Sequence, residues 1–85
     1  MSFAVHVAKS AKKHLSRFPK NDKGRIVNAL DELSKDPYSG DIEKLGGQEN
    51  SWRRRVGNYR IFYDIRIDLK LIEVTEINRR TSSTY

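Results

Sequence analysis

The sequence predicts one α+β domain, in which a helical hairpin packs on one face of a mainly antiparallel sheet. In the first half, apolar residues recur at helical spacing after a short strand; in the second half, they alternate every second residue. Gly57-Asn58 stands between two alternating runs, as a tight hairpin turn does. The predicted order is β-α-α-β-β-β in two layers. The 85 residues are enough for one domain, taken as 1–85.

Two amphipathic helices are expected after a first strand that contains Val5. The apolar stripe of the first helix is Ala8, Ala11, Leu15 and Phe18. Pro19 interrupts that helix, and Asn21 or Asp22 is expected to cap the second. The predicted apolar stripe of the second helix is Ile26, Val27, Leu30 and Leu33. The short break between the helices predicts an antiparallel pair.

The rest of the chain has the pattern of β structure. A short extended piece is expected over 42–45, a strand over 52–56, and a last strand over 69–77. A further strand is expected between the strands over 52–56 and 69–77. Its core-facing residues alternate and are Tyr59, Ile61, Tyr63, Ile65 and Ile67. Arg60 then lies on the open face, and pairing of the hairpin brings part of the 53–55 group beside it.

The charge of the chain is +6, which predicts attraction to polyanions or acidic proteins. The arginines are clustered: residues 52–60 contain four of them and no acid, and Arg79 and Arg80 form a second group. A solvated basic surface is the alternative interpretation. No cysteine is present and no apolar run has transmembrane length, so we expect a cytoplasmic protein that binds no membrane.

Residues that could carry catalysis are few apart from the arginines. His6 and His14 have no metal-ligand spacing and are expected to be a strand-packing and a surface helix residue, so no metal or cofactor is expected. An arginine cluster can hold an RNA phosphate and stabilise charge that develops on it. RNA supplies its own nucleophile, the 2′-hydroxyl. Trp52 and Tyr59 could stack on bases, but strand aromatics more often belong to the core.

The stretch from Leu45-Gly46-Gly47 to Trp52-Arg53-Arg54-Arg55-Val56-Gly57-Asn58-Tyr59-Arg60-Ile61-Phe62-Tyr63 is similar to the signature of the RelE toxin family. The later Ile77-Asn78-Arg79-Arg80, with Tyr85, resembles the closing pattern of that family. The β-α-α-β-β-β order of a RelE-like fold matches as well. The resemblance covers essentially the whole chain.

This resemblance implies a toxin of a type II toxin–antitoxin system that cleaves mRNA in the ribosomal A site. The implied reaction is attack of the 2′-hydroxyl on the adjacent phosphate, which leaves a 2′,3′-cyclic phosphate and a 5′-hydroxyl. Positions that match the family's catalytic residues are Arg53, Arg55, Arg60, Arg80 and Tyr85. In this correspondence Arg60 holds the scissile phosphate, Arg80 contacts phosphate, and Tyr85 orients a base. Arg54 and Arg79 are expected to bind RNA.

The chain departs from the family pattern at several positions. Arg79 stands where many relatives have His, and Asn78 where they have Gly. Arg54 occupies a usually apolar position, and we expect it at a rim of the sheet. Arginine is a poor base, so the proton acceptor is unresolved, with Glu49 as one candidate.

Two other functions share this fold. A ParE-type toxin inhibits DNA gyrase without catalysis and typically lacks the catalytic basic set, whereas a catalytically inactive relative only binds its antitoxin. All three readings imply the same partner, a small acidic antitoxin that folds on contact with the basic chain. The first reading adds mRNA and the ribosome.

Overall fold

The computed structural model describes residues 2–47 and 50–79, which form two layers. Its elements are β1 Ala4–Val7, α1 Lys9–Ser16, α2 Lys20–Lys35, β2 Ile42–Lys44, β3 Ser51–Val56, β4 Tyr59–Arg66 and β5 Leu71–Arg79. One mixed sheet has the order β1-β5-β4-β3-β2, with β1 parallel to β5 and every other neighbouring pair antiparallel. The predicted α+β class, with two helices on a mainly antiparallel sheet, is confirmed.

The sheet has one strand more than the predicted order, because the extended piece over 42–45 is itself paired. Residues 42–44 form β2 at the edge of the sheet, where Glu43 lies opposite Arg53 of β3. Three residues are too few for an alternating pattern to be recognised in the sequence. The pairing of β2 depends on the neighbouring strand, which only the folded chain provides.

The two helices run in opposite directions along the same face of the sheet. α1 leads toward the beginning of β4, where the ring of Phe18 lies 4.5 Å from that of Tyr59. α2 leads back toward β1, and the backbone carbonyl oxygen of Ser34, near the end of α2, accepts a 2.6 Å hydrogen bond from the backbone N–H of Phe3. His14 was expected at the surface of its helix, but it is partly buried, with Nδ1 3.2 Å from the carbonyl oxygen of Ile77.

The apolar stripe of α2 differs from the predicted one at a single position. The buried residues of α2 are Ile26, Ala29, Leu30 and Leu33. Val27 is 53% exposed, so its predicted place in the core is wrong; one step of about 100° from Ile26 carries it off the buried face. The predicted cap is also wrong. Pro19 occupies the N-cap position, no side chain caps the helix, and Asn21 and Asp22 lie in its first turn.

The alternation of β4 fills the centre of the core. Tyr59, Ile61, Tyr63 and Ile65 are each at most 2% exposed, as predicted. Ile67 is 61% exposed, which contradicts its predicted core position, because β4 ends at Arg66 and the chain turns there. Leu69 lies in the same turn and is also exposed, so β5 begins two residues later than predicted.

A β-bulge interrupts the pairing of β4 with β5. Phe62 pairs with Glu76, whereas the next residue, Tyr63, pairs with Val74, which leaves Thr75 as an extra residue on β5. A bulge of this kind shifts the side-chain alternation of the longer strand by one position. Beyond the bulge, each side chain of β5 therefore points to the sheet face opposite to the one it would occupy if the alternation were unbroken.

Candidate nucleic-acid interface

The hairpin of β3 and β4 sets arginines side by side on the sheet face that the helices leave open. Gly57 and Asn58 form its two-residue turn, with Gly57 at φ +59°, as a type II′ turn requires at its first central position. Arg55 consequently lies directly opposite Arg60. Arg53 lies opposite Phe62, one step further along the same face. The structure thus brings Arg53, Arg55 and Arg60 together.

Nearby carboxylates offset only part of this positive charge. Arg53 Nη2 pairs with Glu43 of the edge strand, and Arg55 Nε lies 3.1 Å from Asp41 Oδ2. Arg60 forms no ion pair with any residue in the described ranges. Like charges directly opposite each other on adjacent strands are destabilising. An anion bound between Arg55 and Arg60 would remove that repulsion.

Arg54 points away from this group, to the side of the sheet that the helices cover. Its side chain is 11% exposed, and its Nη2 lies 2.5 Å from Glu32 Oε1 of α2. Nη1 lies 3.4 Å from the Ser39 hydroxyl, while the buried Nε has no hydrogen-bond partner in the structure described. Arg54 lies next to the edge strand but under the helices, and so links the sheet to α2.

Arg79 lies at the end of β5, on the same side of the sheet as Tyr59, with which it pairs. Its guanidinium carbon is 5.9 Å from the centre of the Tyr59 ring, within the range of a cation–π contact. Arg79 therefore borders the arginine group from the other face of the sheet. Arg80 and Tyr85, and the candidate base Glu49, lie outside the described residues.

Arg25, which no sequence pattern singled out, is brought to the hairpin turn by the fold. A Cβ atom added to Gly57 would lie 2.7 Å from Arg25 Nη2, so the α2 side chain lies against the turn. Within 2–47 and 50–79, the arginines without an ion pair are Arg17, Arg25, Arg60 and Arg79. Arg25, Arg60 and Arg79 border the start of β4. No signal in the sequence near Arg25 could have placed it there.

The two buried tyrosines of β4 are structural rather than catalytic. The hydrogen bond that Tyr59 donates to Asp22 (2.6 Å) raises the pKa of its phenol, and burial raises it further. Burial raises the pKa of Tyr63 to about 12, while its hydroxyl donates a 2.8 Å hydrogen bond to the carbonyl of Pro37. Both phenols are thus neutral at physiological pH. Trp52 packs against the same core, as expected.

Neither histidine lies on the β3–β4 hairpin: His6 is on β1 and His14 is on α1. His6 was expected to pack within its strand, but it is exposed on the open face, opposite Glu73. In the part of the chain that the structure describes, no group of three or more His, Cys, Asp or Glu side chains could hold a metal ion. None of the described helices is both long and apolar enough to cross a membrane.

The chain matches a known protein family over most of its length. Residues 5–83 match the family model of the ParE toxin of type II toxin–antitoxin systems, the parDE type. The chain belongs to the RelE/ParE toxin superfamily. A protein of Methanocaldococcus jannaschii named toxin RelE1 is 28% identical to this toxin over 83 residues, which are 94% of this chain and 92% of the relative.

Solved structures confirm the fold of the toxin. It matches the archaeal RelE–RelB complex of Pyrococcus horikoshii OT3 with a TM-score of 0.84 and 27% identity, over 98% of this chain and 100% of that chain. The isolated RelE toxin of E. coli gives the same TM-score at 15% identity, over 96% and 88% of the two chains. The second similarity shows the fold alone. The predicted RelE-like fold is therefore confirmed.

Proposed function

We propose that this toxin is an endoribonuclease that cleaves mRNA in the ribosomal A site and so inhibits translation. The observation that carries the proposal is the cross-strand pair of Arg55 and Arg60 on the open face, with Arg53 beside it. Two facing guanidinium groups are unfavourable in a protein that binds no anion. They become favourable when a phosphate lies between them, because arginine binds phosphate oxygens through two parallel hydrogen bonds.

The chemistry requires little else from the protein. The 2′-oxygen of the RNA attacks the adjacent phosphorus atom, the bond from phosphorus to the 5′-oxygen breaks, and a 2′,3′-cyclic phosphate and a 5′-hydroxyl result. Alignment of the 2′-oxygen with the phosphate lowers the barrier, since the nucleophile is already part of the substrate. Guanidinium groups stabilise the extra negative charge that the phosphate gains during the attack.

The arginines divide this work by their position. Arg60, which has no ion pair among the described residues, is proposed to hold the scissile phosphate. Arg53 and Arg55, which have acidic neighbours, are proposed to stabilise the developing charge. Arg80 and Tyr85 remain proposed as a phosphate contact and a base-orienting ring, and Arg79 as an RNA-binding residue. We leave Arg54 out of the RNA site because its guanidinium pairs with Glu32 under the helices.

We further infer that an acidic antitoxin silences this toxin in the cytoplasm. The RelE chains of Pyrococcus horikoshii and Methanococcus jannaschii were both solved in complex with RelB, and each is 27% identical to this chain. The charge of +6 on the present chain favours an acidic partner. Attraction between the opposite charges would accelerate the association of the two proteins.

The second candidate is a non-enzymatic inhibitor of DNA gyrase. The description of the matching family as ParE toxin favours it. The retained group of Arg53, Arg55 and Arg60 favours the nuclease instead, because a gyrase inhibitor needs no phosphate site on the open face. A toxin-like chain that only binds its antitoxin is the third candidate.

Expression of the toxin in cells without its antitoxin distinguishes these functions. We expect growth arrest and new RNA 5′ ends within translated reading frames, in phase with the codons. Arg60→Ala should abolish both. Arg66→Ala is the matched control, because Arg66 lies on the open face of the same strand but pairs with Glu73 at its far end. That variant should cleave as the wild type does.

Other outcomes would refute the nuclease. Growth arrest without new 5′ ends, together with inhibition of purified gyrase, would support the gyrase inhibitor. Neither arrest nor cleavage would support the binding protein. Equal cleavage by Arg60→Ala and Arg66→Ala would refute the phosphate site even if the toxin cuts RNA.

A further inference from the structure

The arginine group of the open face, Arg53, Arg55 and Arg60, contains no side chain that can accept the proton of the 2′-hydroxyl. Arginine stays protonated at any physiological pH, and the buried phenols of Tyr59 and Tyr63 are neutral donors. A carboxylate near the group would supply the missing acceptor. The sheet provides one on β5, at a position that the sequence pattern assigns to the opposite face.

The bulge at Thr75 turns this carboxylate toward the open face. Glu73 lies opposite Asp64 on that face, so unbroken alternation would turn Glu76 toward the helices. Thr75 is the extra residue, and its hydroxyl donates a 3.3 Å hydrogen bond to the carbonyl of Phe62. Beyond it, Glu76 lies opposite Phe62, and Ile77 enters the core with no exposed surface.

The position of Glu76 relative to the arginines suits a proton acceptor. Phe62, its partner on β4, is itself opposite Arg53, and Asn78 lies opposite Arg60. Glu76 and Arg60 are therefore diagonal neighbours on adjacent strands, with their Cα atoms about 7–8 Å apart. They form no ion pair. A ribose and its phosphate can lie between them.

Hydrogen bonding distinguishes Glu76 from the other carboxylates near the site. Glu43 and Asp41 are bound to Arg53 and Arg55, and each would have to leave its guanidinium before it could take a proton. Glu76 is exposed and accepts a hydrogen bond from the neutral amide of Asn78, which holds it toward the arginine end of β5. It is thus accessible and carries no ion pair among the described residues.

We propose that Glu76 is a catalytic residue, the general base of this nuclease. The inference rests on the proposed function. The Glu76 carboxylate takes the proton of the 2′-hydroxyl as the 2′-oxygen bonds to phosphorus, and becomes a neutral carboxylic acid. The bond from phosphorus to the 5′-oxygen breaks, and that oxygen takes a proton from water. Glu76 then releases its proton to solvent, so no oxidant, reductant or further reactant is needed.

The test is single-turnover cleavage of mRNA on programmed ribosomes by the full chain. Glu76→Gln keeps the shape and the hydrogen bond but cannot accept the proton. We expect its cleavage rate to fall at least about 100-fold, within the usual range for loss of a general base. Binding is measured on ribosomes programmed with an mRNA that has a 2′-deoxy residue at the cleavage site and so cannot be cut. The affinity of Glu76→Gln for them should stay within about threefold of that of the wild type.

The pH profile separates a general base from a residue that merely shapes the site. The wild-type rate should rise with pH on the acidic side and then level off, and Glu76→Gln should lose that acidic limb. Among the described residues of β4, the charged groups that flank the partner of Glu76 on the open face are Arg60 and Asp64. On β1, the titratable residue is His6, which lies opposite Glu73 instead. Asp64→Asn therefore serves to show whether the limb belongs to a neighbour.

Glu73→Gln is the matched control, because Glu73 lies on the same strand and face but pairs with Arg66. It should keep the wild-type rate and pH profile. If Arg60→Ala abolishes cleavage while Glu76→Gln retains the wild-type rate or acidic limb, Glu76 is not the base, although the nuclease stands. A wild-type chain that cuts no RNA would overturn the proposed function and this inference together.

Discussion

The ion pair of Arg54 and Glu32 allows a prediction that separates a structural arginine from the functional ones. The Arg54 side chain is 11% exposed and Glu32 is 58% exposed, so removal of the two partners should have unequal effects. Glu32→Ala leaves a guanidinium that is still largely buried and already has one unpartnered nitrogen. Arg54→Met removes the buried charge and keeps most of the apolar volume.

The expected magnitudes follow from this asymmetry. A fully buried charge that loses its partner costs about 3–5 kcal/mol. The Arg54 side chain retains some exposure and the Ser39 contact, so we expect Glu32→Ala to lower the free energy of unfolding by about 2 kcal/mol. Arg54→Met should change it by less than about 1 kcal/mol, because an apolar side chain fills the buried position and the remaining Glu32 carboxylate, 58% exposed, stays hydrated.

Urea unfolding of the single variants and of the double variant measures this difference. The midpoint of Glu32→Ala should fall by about 1 M, and the double variant should resemble Arg54→Met. RNA cleavage by Arg54→Met should equal that of the wild type. A larger loss of stability in Arg54→Met than in Glu32→Ala would refute the reasoning, and a loss of cleavage with full stability would return Arg54 to the RNA site.

Two further predictions concern the hairpin and the core. Gly57→Ala should cost about 1–2 kcal/mol in urea unfolding, because φ is +59° and the new methyl group would displace Arg25; an unchanged midpoint would contradict this turn geometry. For Tyr63, the folded pKa of about 12 lies above its unfolded value of about 10, so its contribution is complete below pH 10 and disappears as pH rises toward 12. Unfolding measured from neutral to alkaline pH should show this loss, up to about 2–3 kcal/mol, in the wild type but not in Tyr63→Phe; parallel curves would contradict it.

The arrangement of charges divides the open face into two regions. The end next to the β3–β4 turn carries Arg53, Arg55 and Arg60, of which the last has no ion pair among the described residues. Toward the other end, Arg66 is paired with Glu73, and Asp64 accepts a hydrogen bond from the Ser51 hydroxyl (2.5 Å). Potential for binding an anion is thus concentrated at one end of the face.

Local sequence was enough to predict much of this molecule. Strict alternation in β4 identified its buried face, because a strand turns successive side chains to opposite sides. Gly57-Asn58 identified the turn, and a two-residue turn determines the register of its hairpin. Those two facts together place Arg55 opposite Arg60, so the arginine group could be predicted before any contact between distant segments was known.

Other features arise from segments that are distant in the sequence. Arg54 meets Glu32 and Arg25 meets Gly57 only because α2 packs across the sheet. Glu76 reaches the arginine face through a bulge, and one extra residue reverses the direction of every side chain beyond it without altering the local pattern of residue types. Sequence alone thus predicted both helices, the longer strands and the arginine hairpin, whereas the short edge strand β2 emerged only from its pairing in the folded chain. The tertiary structure decided which charges are paired and which carboxylate faces the site, because these depend on register and packing between distant segments.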